Sequence, residues 1–179
     1  MATTSQIIQK VLEYKGLPKE KLLADVQAAF NDNSNDDIQA WIDLGDAIFE
    51  SNSEASFFCF YKVATLEKEN ADAFYKLSMI CSASGSYESA RDYILKAIEI
   101  SDNVIIYKKF LLGIYNKLGD EKNAKKQEQI IKVDQEKMGI TKAGATVAKN
   151  ANVTNPAWMN DVIKKQTSLF KNGGEDDLI

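Results

Sequence analysis

The stretch that most constrains this chain is residues 71–104, ADAFYKLSMICSASGSYESARDYILKAIEISDNV. It reads as one helix, a glycine turn and a second helix. Phe74, Leu77, Ile80 and Cys81 recur at steps of three and four, which gathers them on one helical face. Gly85 interrupts the pattern. Tyr87, Ala90, Ile94, Ala97, Ile98 and Ile100 then repeat the spacing, after a turn short enough only for an antiparallel return. Two helices cannot bury both of these faces against each other, so similar units are required on either side and the spacing should recur.

It does recur. Moving back 33 residues sets Trp41 under Phe74, Leu44 under Leu77, Gly45 under Ser78, Ile48 under Cys81 and Ala64 under Ala97. Moving forward 34 sets Leu111 under Leu77, Tyr115 under Cys81, Gly119 under Gly85 and Ala124 under Ala90. A period of this length, with a large residue, a leucine, a small residue, an aromatic, a glycine turn and small residues in the second helix, resembles the tetratricopeptide repeat. The units differ in what they keep. Residues 38–70 have Phe57 where the family prefers alanine, and residues 105–138 lose the opening aromatic. The resemblance implies an all-α fold, an antiparallel helix-turn-helix solenoid of seven or eight helices. Ala64, Ala90, Ala97 and Ala124 would then lie at its close helix contacts.

Three regions follow from the pattern. Residues 1–37 form an N-terminal helical pair, with Ile7, Ile8, Val11, Leu12 and Tyr14 on the first helix and Leu22, Leu23, Val26, Ala29 and Phe30 on the second; it is either a degenerate repeat or a cap. Residues 38–138 are the repeats, with helices expected at 38–50, 54–68, 71–83, 87–100, 104–117 and 121–137. Asp36 or Asp37 can cap the first of these. Residues 139–179 start as a flexible connector poor in large apolar residues. An amphipathic helix restarts after Asn155-Pro156 with Trp158, Met159, Val162, Ile163, Leu169 and Phe170, and an acidic tail follows. A helix this short is marginal alone in water, so it is expected to dock, on its own repeats or on a partner.

Composition excludes several functions. The chain has no histidine, which removes the commonest general base and metal ligand and every Ser-His or Cys-His arrangement. The 26 acidic residues are scattered over polar faces, no glycine-rich phosphate loop is present, and Cys59 and Cys81 lack paired metal or redox spacing. We therefore expect no enzyme activity, no cofactor and no metal. No apolar run is long enough to span a membrane and the start has no leader pattern, which points to a cytoplasmic protein without membrane insertion. Residues 1–70 hold 6 Lys/Arg against 12 Asp/Glu, whereas residues 105–142 hold 9 against 5. With pI near 5.0 and no aromatic stacking platform on that basic end, nucleic acid is not an expected partner.

The resemblance also implies where a partner would bind, on the concave face lined by the first helix of each unit. In this sequence that face comprises Gln39, Ile42, Asp46 and Phe49, then Tyr75, Met79 and Ser82, then Lys109, Asn116 and Lys117. It would run from acidic through aromatic to basic, with Tyr75 and Met79 as apolar anchors. Some family members clamp the C-terminal carboxylate of heat-shock chaperones. The matching places here are Ile42, Asp46, Lys76, Ile106 and Phe110, of which one is basic and one would repel the ligand. The expected function is a scaffold that docks a protein or peptide partner, including one within a multiprotein complex. The alternative is a chaperone or co-chaperone that holds an extended client, as small bacterial secretion chaperones do.

Overall fold

The computed structural model describes residues 18–31 and 37–139. Among them are seven helices and no strand: α1 Lys19–Asn31, α2 Ile38–Ile48, α3 Ser53–Leu66, α4 Ala71–Ala83, α5 Tyr87–Ile100, α6 Ile105–Leu118 and α7 Glu121–Lys137. The all-α solenoid expected from the sequence is what forms, and the expected repeat helices differ from the observed ones by at most two residues at an end. The helix expected at residues 4–15, the connector and the tail helix with Trp158, Met159, Val162, Ile163, Leu169 and Phe170 lie outside the described residues.

Side-chain caps start four of the helices. Asp37 accepts from the Ala40 N–H at 3.0 Å, Asn52 from Ala55 at 3.1 Å, Asn70 from Ala73 at 2.9 Å and Asp120 from Asn123 at 3.1 Å. Each satisfies a backbone donor that the first helical turn leaves without a partner. The stops are equally local. Gly85 and Gly119 adopt left-handed conformations with φ of 77° and 69°, and the next N–H reaches back five residues, Ser86 to the Cys81 carbonyl at 2.9 Å and Asp120 to the Tyr115 carbonyl at 3.0 Å. This is the Schellman closure, which a β-carbon would strain.

Within each pair α2 packs on α3, α4 on α5 and α6 on α7, and between pairs α3 packs on α4 and α5 on α6. The second helices α3 and α5 are thus buried twice, by their own partner and by the next unit, which is how the apolar faces of a stack close. Trp41, Leu44, Ile48, Cys59, Phe60, Val63, Leu77 and Ile80 form one continuous core with Leu22, Val26 and Ala29 of α1. The main partner of α1 is α3 rather than α2, so it does not meet the first unit the way one repeat meets the next. Lys62 of α3 helps fix it, with Nζ 3.5 Å from the Phe30 carbonyl and 5.6 Å from the centre of the Phe30 ring.

One detail of the expected register is corrected. The alignment that placed Phe57 at the family's alanine position is off by one residue in the second helix of the first unit. The buried Ser56 hydroxyl donates to the Gly45 carbonyl at 2.8 Å, eleven residues away. In the next unit the buried Ser78 hydroxyl donates to the Ala90 carbonyl at 2.6 Å, twelve residues away. The first unit has no glycine turn, and because α2 is two residues shorter than α4 while its connection is one residue longer, the span between the paired positions is one residue shorter. Ser56, not Phe57, therefore occupies the place of Ala90 and Ala124. By the same shift Val63 rather than Ala64 stands in the place of Ala97; Val63, Ala64, Ala90, Ala97 and Ala124 are all buried.

Candidate functional site

The first helices of the three units, α2, α4 and α6, are laced together by side chains. Lys76 of α4 donates to Asp46 of α2 at 2.5 Å. Its ammonium lies 5.1 Å from the Phe49 ring centre and 5.4 Å from that of Phe60, and the side chain is only 7% exposed. An ammonium removed from water to that degree is tolerable because a carboxylate and two aromatic faces replace the solvent. One step along, Tyr107 of α6 donates to Asp72 of α4, and Tyr75 packs against Tyr107 and Phe110 with ring centres 4.9 and 5.4 Å apart. Burial pushes the Tyr107 phenol far above its ordinary range, with the Asp72 carboxylate adding to the effect. Tyr75 moves the same way for the same two reasons in the same order. Both phenols stay protonated at any physiological pH, and the Tyr107 hydroxyl serves as a structural donor to Asp72 rather than as a proton-transfer group.

These contacts decide how the expected wall residues are presented. Gln39, Lys109, Asn116 and Lys117 are exposed, while Ile42, Asp46, Phe49 and Ser82 are half-buried. Tyr75 and Met79 are buried. The expectation that Tyr75 and Met79 stand open as anchors is therefore corrected for this structure: the rings of Tyr107 and Phe110 pack on Tyr75. The sequence reading also missed Asp72 as the partner of Tyr107. Asp72 lies 33 residues after Gln39, so the repeat spacing alone could have placed it on the wall.

At the end of the stack the opening aromatic, Trp41 and Phe74 in the first two units, is replaced by Lys108. Its Nζ reaches Asp134 of α7 at 2.5 Å, and the Gln127 amide donates to the Lys108 carbonyl at 3.2 Å. The Lys108 hydrogen bond is the main reason that the Asp134 carboxyl is held below its ordinary range. Cys59 and Cys81 are free and buried, and burial raises both thiols, which suppresses the reactive thiolate. Among the described residues no group of His, Cys, Asp or Glu could hold a metal ion, and no helix is long and apolar enough to cross a membrane.

Residues 71–104, which hold the Ser78–Ala90 contact, match the family model of the tetratricopeptide repeat. Residues 71–104 are a tetratricopeptide repeat. No curated protein matches the chain by sequence. Among solved structures the repeat stack is similar to "Crystal structure of MamA protein", at 19% identity and a TM-score of 0.60 over 80% of this chain and 79% of that one. A second, "Crystal structure of MamA", has 20% identity and a TM-score of 0.58 over 77% and 81%. Identity this low speaks for the shared fold alone. Within that fold the carboxylate-clamp positions hold Ile42, Asp46, Lys76, Ile106 and Phe110, and the one cation among them is already bound to Asp46.

Proposed function

We propose that this chain is an interaction scaffold that docks a segment of another protein on the wall formed by α2, α4 and α6, and that it performs no chemistry of its own. The tetratricopeptide repeat at residues 71–104 carries this reading. It is supported by a wall pre-organised through Lys76–Asp46 and Tyr107–Asp72, which leaves Ile42, Phe49 and Ser82 half-exposed between charged groups. A rigid surface of this kind loses little entropy on binding. The engagement of Lys76 by Asp46 argues against a heat-shock carboxylate as the ligand. The tail residues from Trp158 to Phe170 remain a second docking element proposed from sequence alone.

The test is partner capture by the full chain and by a variant carrying Ile42→Arg and Ser82→Arg, with helical content followed by circular dichroism. Both positions are half-buried on the wall, so arginines there should block docking, and because Ile42 also packs against the core the helical content separates lost docking from lost fold. Partners lost by the variant at unchanged helicity bear the reading out. Partners retained at full strength move the binding surface elsewhere.

A further inference from the structure

The three first helices carry an ordered charge. Helix α2 has Asp43 and Asp46 and no base, α4 has Asp72 and Lys76, and α6 has Lys108, Lys109 and Lys117 and no acid. Internal pairs consume part of it, Lys76 with Asp46 and Lys108 with Asp134. What remains exposed is a carboxylate at one end, Asp43, which accepts from the Gln39 amide at 2.7 Å, a carboxylate in the middle, Asp72, which accepts from the Tyr107 hydroxyl, and two ammonium groups at the other end, Lys109 and Lys117. Among the described residues no carboxylate lies within ion-pair distance of Lys109 or Lys117. Lys117, in the last turn of α6, is favoured by the helix dipole. Lys109, near the start of the helix, gains nothing from it.

Resting on the scaffold reading, we propose that the wall takes an extended segment of another protein in one direction only. Acidic side chains of the segment lie on Lys109 and Lys117 of α6. An apolar side chain lies against Ile42, Phe49 and Ser82, and a basic side chain lies toward Asp43 of α2. Two helix-to-helix steps of about 10 Å at roughly 3.3 Å per extended residue set about six residues between the charged ends. Charge order of this kind contributes to orientation and partner choice more than to raw affinity. It also excludes segments of the opposite order by placing like charges together.

The experiment is selection of a random peptide display library on the full-length chain, followed by affinity measurement of enriched synthetic peptides. Enriched peptides should carry Asp or Glu at one end and Lys or Arg at the other, in a constant sense, with an apolar residue between. Lys109→Glu with Lys117→Glu should weaken such a peptide about tenfold or more at low salt, and replacing the acidic residues of the peptide with Lys should restore binding to that variant. Enriched peptides without charge order, peptides indifferent to the double reversal, or no enrichment at all would overturn the proposal. If the peptides lack charge order but are still lost on Ile42→Arg with Ser82→Arg, the direction fails and the docking wall stands. If they bind that variant undiminished, the wall itself is the wrong surface.

Discussion

The helix contacts of residues 38–70 and 71–104 solve one packing problem in mirror fashion. In the first unit the small residue lies on the first helix, Gly45, and the hydroxyl on the second, Ser56. In the second unit the hydroxyl lies on the first helix, Ser78, and the small residue on the second, Ala90. The neighbouring side chain follows suit. A β-carbon at Gly45 would lie 2.9 Å from Phe60 Cζ and 3.1 Å from Cys59 Cβ, whereas in the second unit Ile94 occupies the position equivalent to Phe60. What recurs is a close approach of two helices sealed by one hydroxyl-to-carbonyl bond. The identity of the residue at any one position need not recur, so the repeats look degenerate as sequence while remaining equivalent as contacts.

The comparison breaks most severely where the approach is closest. Ala90 is fully buried with its carbonyl in the Ser78 bond, so Ala90→Leu forces three extra carbons into a filled contact. We expect a loss of about 3 kcal/mol, near the upper end of overpacking costs, read as a lower midpoint in chemical denaturation. An unchanged midpoint would mean that α4 and α5 can part without penalty, and that the contact is not the seal described.

A coupled pair sharpens it. Gly45→Ser imports the residue of the second unit but drives its Cβ into the Phe60 ring, with an expected cost of about 2 kcal/mol. In a chain already carrying Phe60→Ile, which imports the other half of the second-unit contact, the same change should cost less than half as much. That coupling is what a double-mutant cycle measures. Additive costs would show that Phe60 is not what excludes a β-carbon at position 45.

The two hydroxyls should also differ. The Ala90 carbonyl lies in the interior of α5, where the helix supplies a second donor. The Gly45 carbonyl lies at the end of α2, where the Phe49 N–H turns to Asp46 instead. Ser78→Ala should therefore cost about 1 kcal/mol, and Ser56→Ala, which strips a buried acceptor of its partner, about 2 kcal/mol. Equal losses would show that the Gly45 carbonyl is satisfied in some other way.

Much of this was legible in the sequence because its signals are local. Periodicity placed the six repeat helices, and Asn, Asp and Gly at the breaks become the caps and closures seen in the structure. A fixed period misplaces α3 by one residue because α2 with its connection is one residue shorter than α4 with its own, and a fixed period cannot register a deletion. Tyr75 was misplaced for a different reason. Helical phase puts it on the wall, but whether it is open depends on Tyr107 and Phe110, more than thirty residues away. Lys76 could be identified as the lone cation of the clamp positions. That Asp46, expected to repel an acidic ligand, binds Lys76 instead is a fact of packing.

The mildest test contrasts the first two units with the last. There the aromatic seal is replaced by Lys108–Asp134, and the two lowered carboxyls, Asp120 and Asp134, cap and close α7. Hydrogen bonds from the Asn123 backbone and side chain are what lower Asp120, and the bond from Lys108 is the main cause for Asp134. A carboxyl with a lowered folded-state pKa contributes stability in full above its ordinary value, near 3.8, and loses it as pH falls through the lowered one. Acid should therefore loosen α7 before α3, α4 and α5. Amide exchange followed from pH 5 to pH 2.5 should show protection in α7 decaying first, after correction for the intrinsic exchange rate. Asp134→Asn keeps an acceptor for Lys108 but removes that carboxyl's titration, so it should reduce the acid dependence in α7 to the part that Asp120 contributes, with little effect at neutral pH. If all the helices lose protection together, the polar end is as tightly coupled to the stack as the aromatic one, and the contrast between the units does not extend to their acid stability.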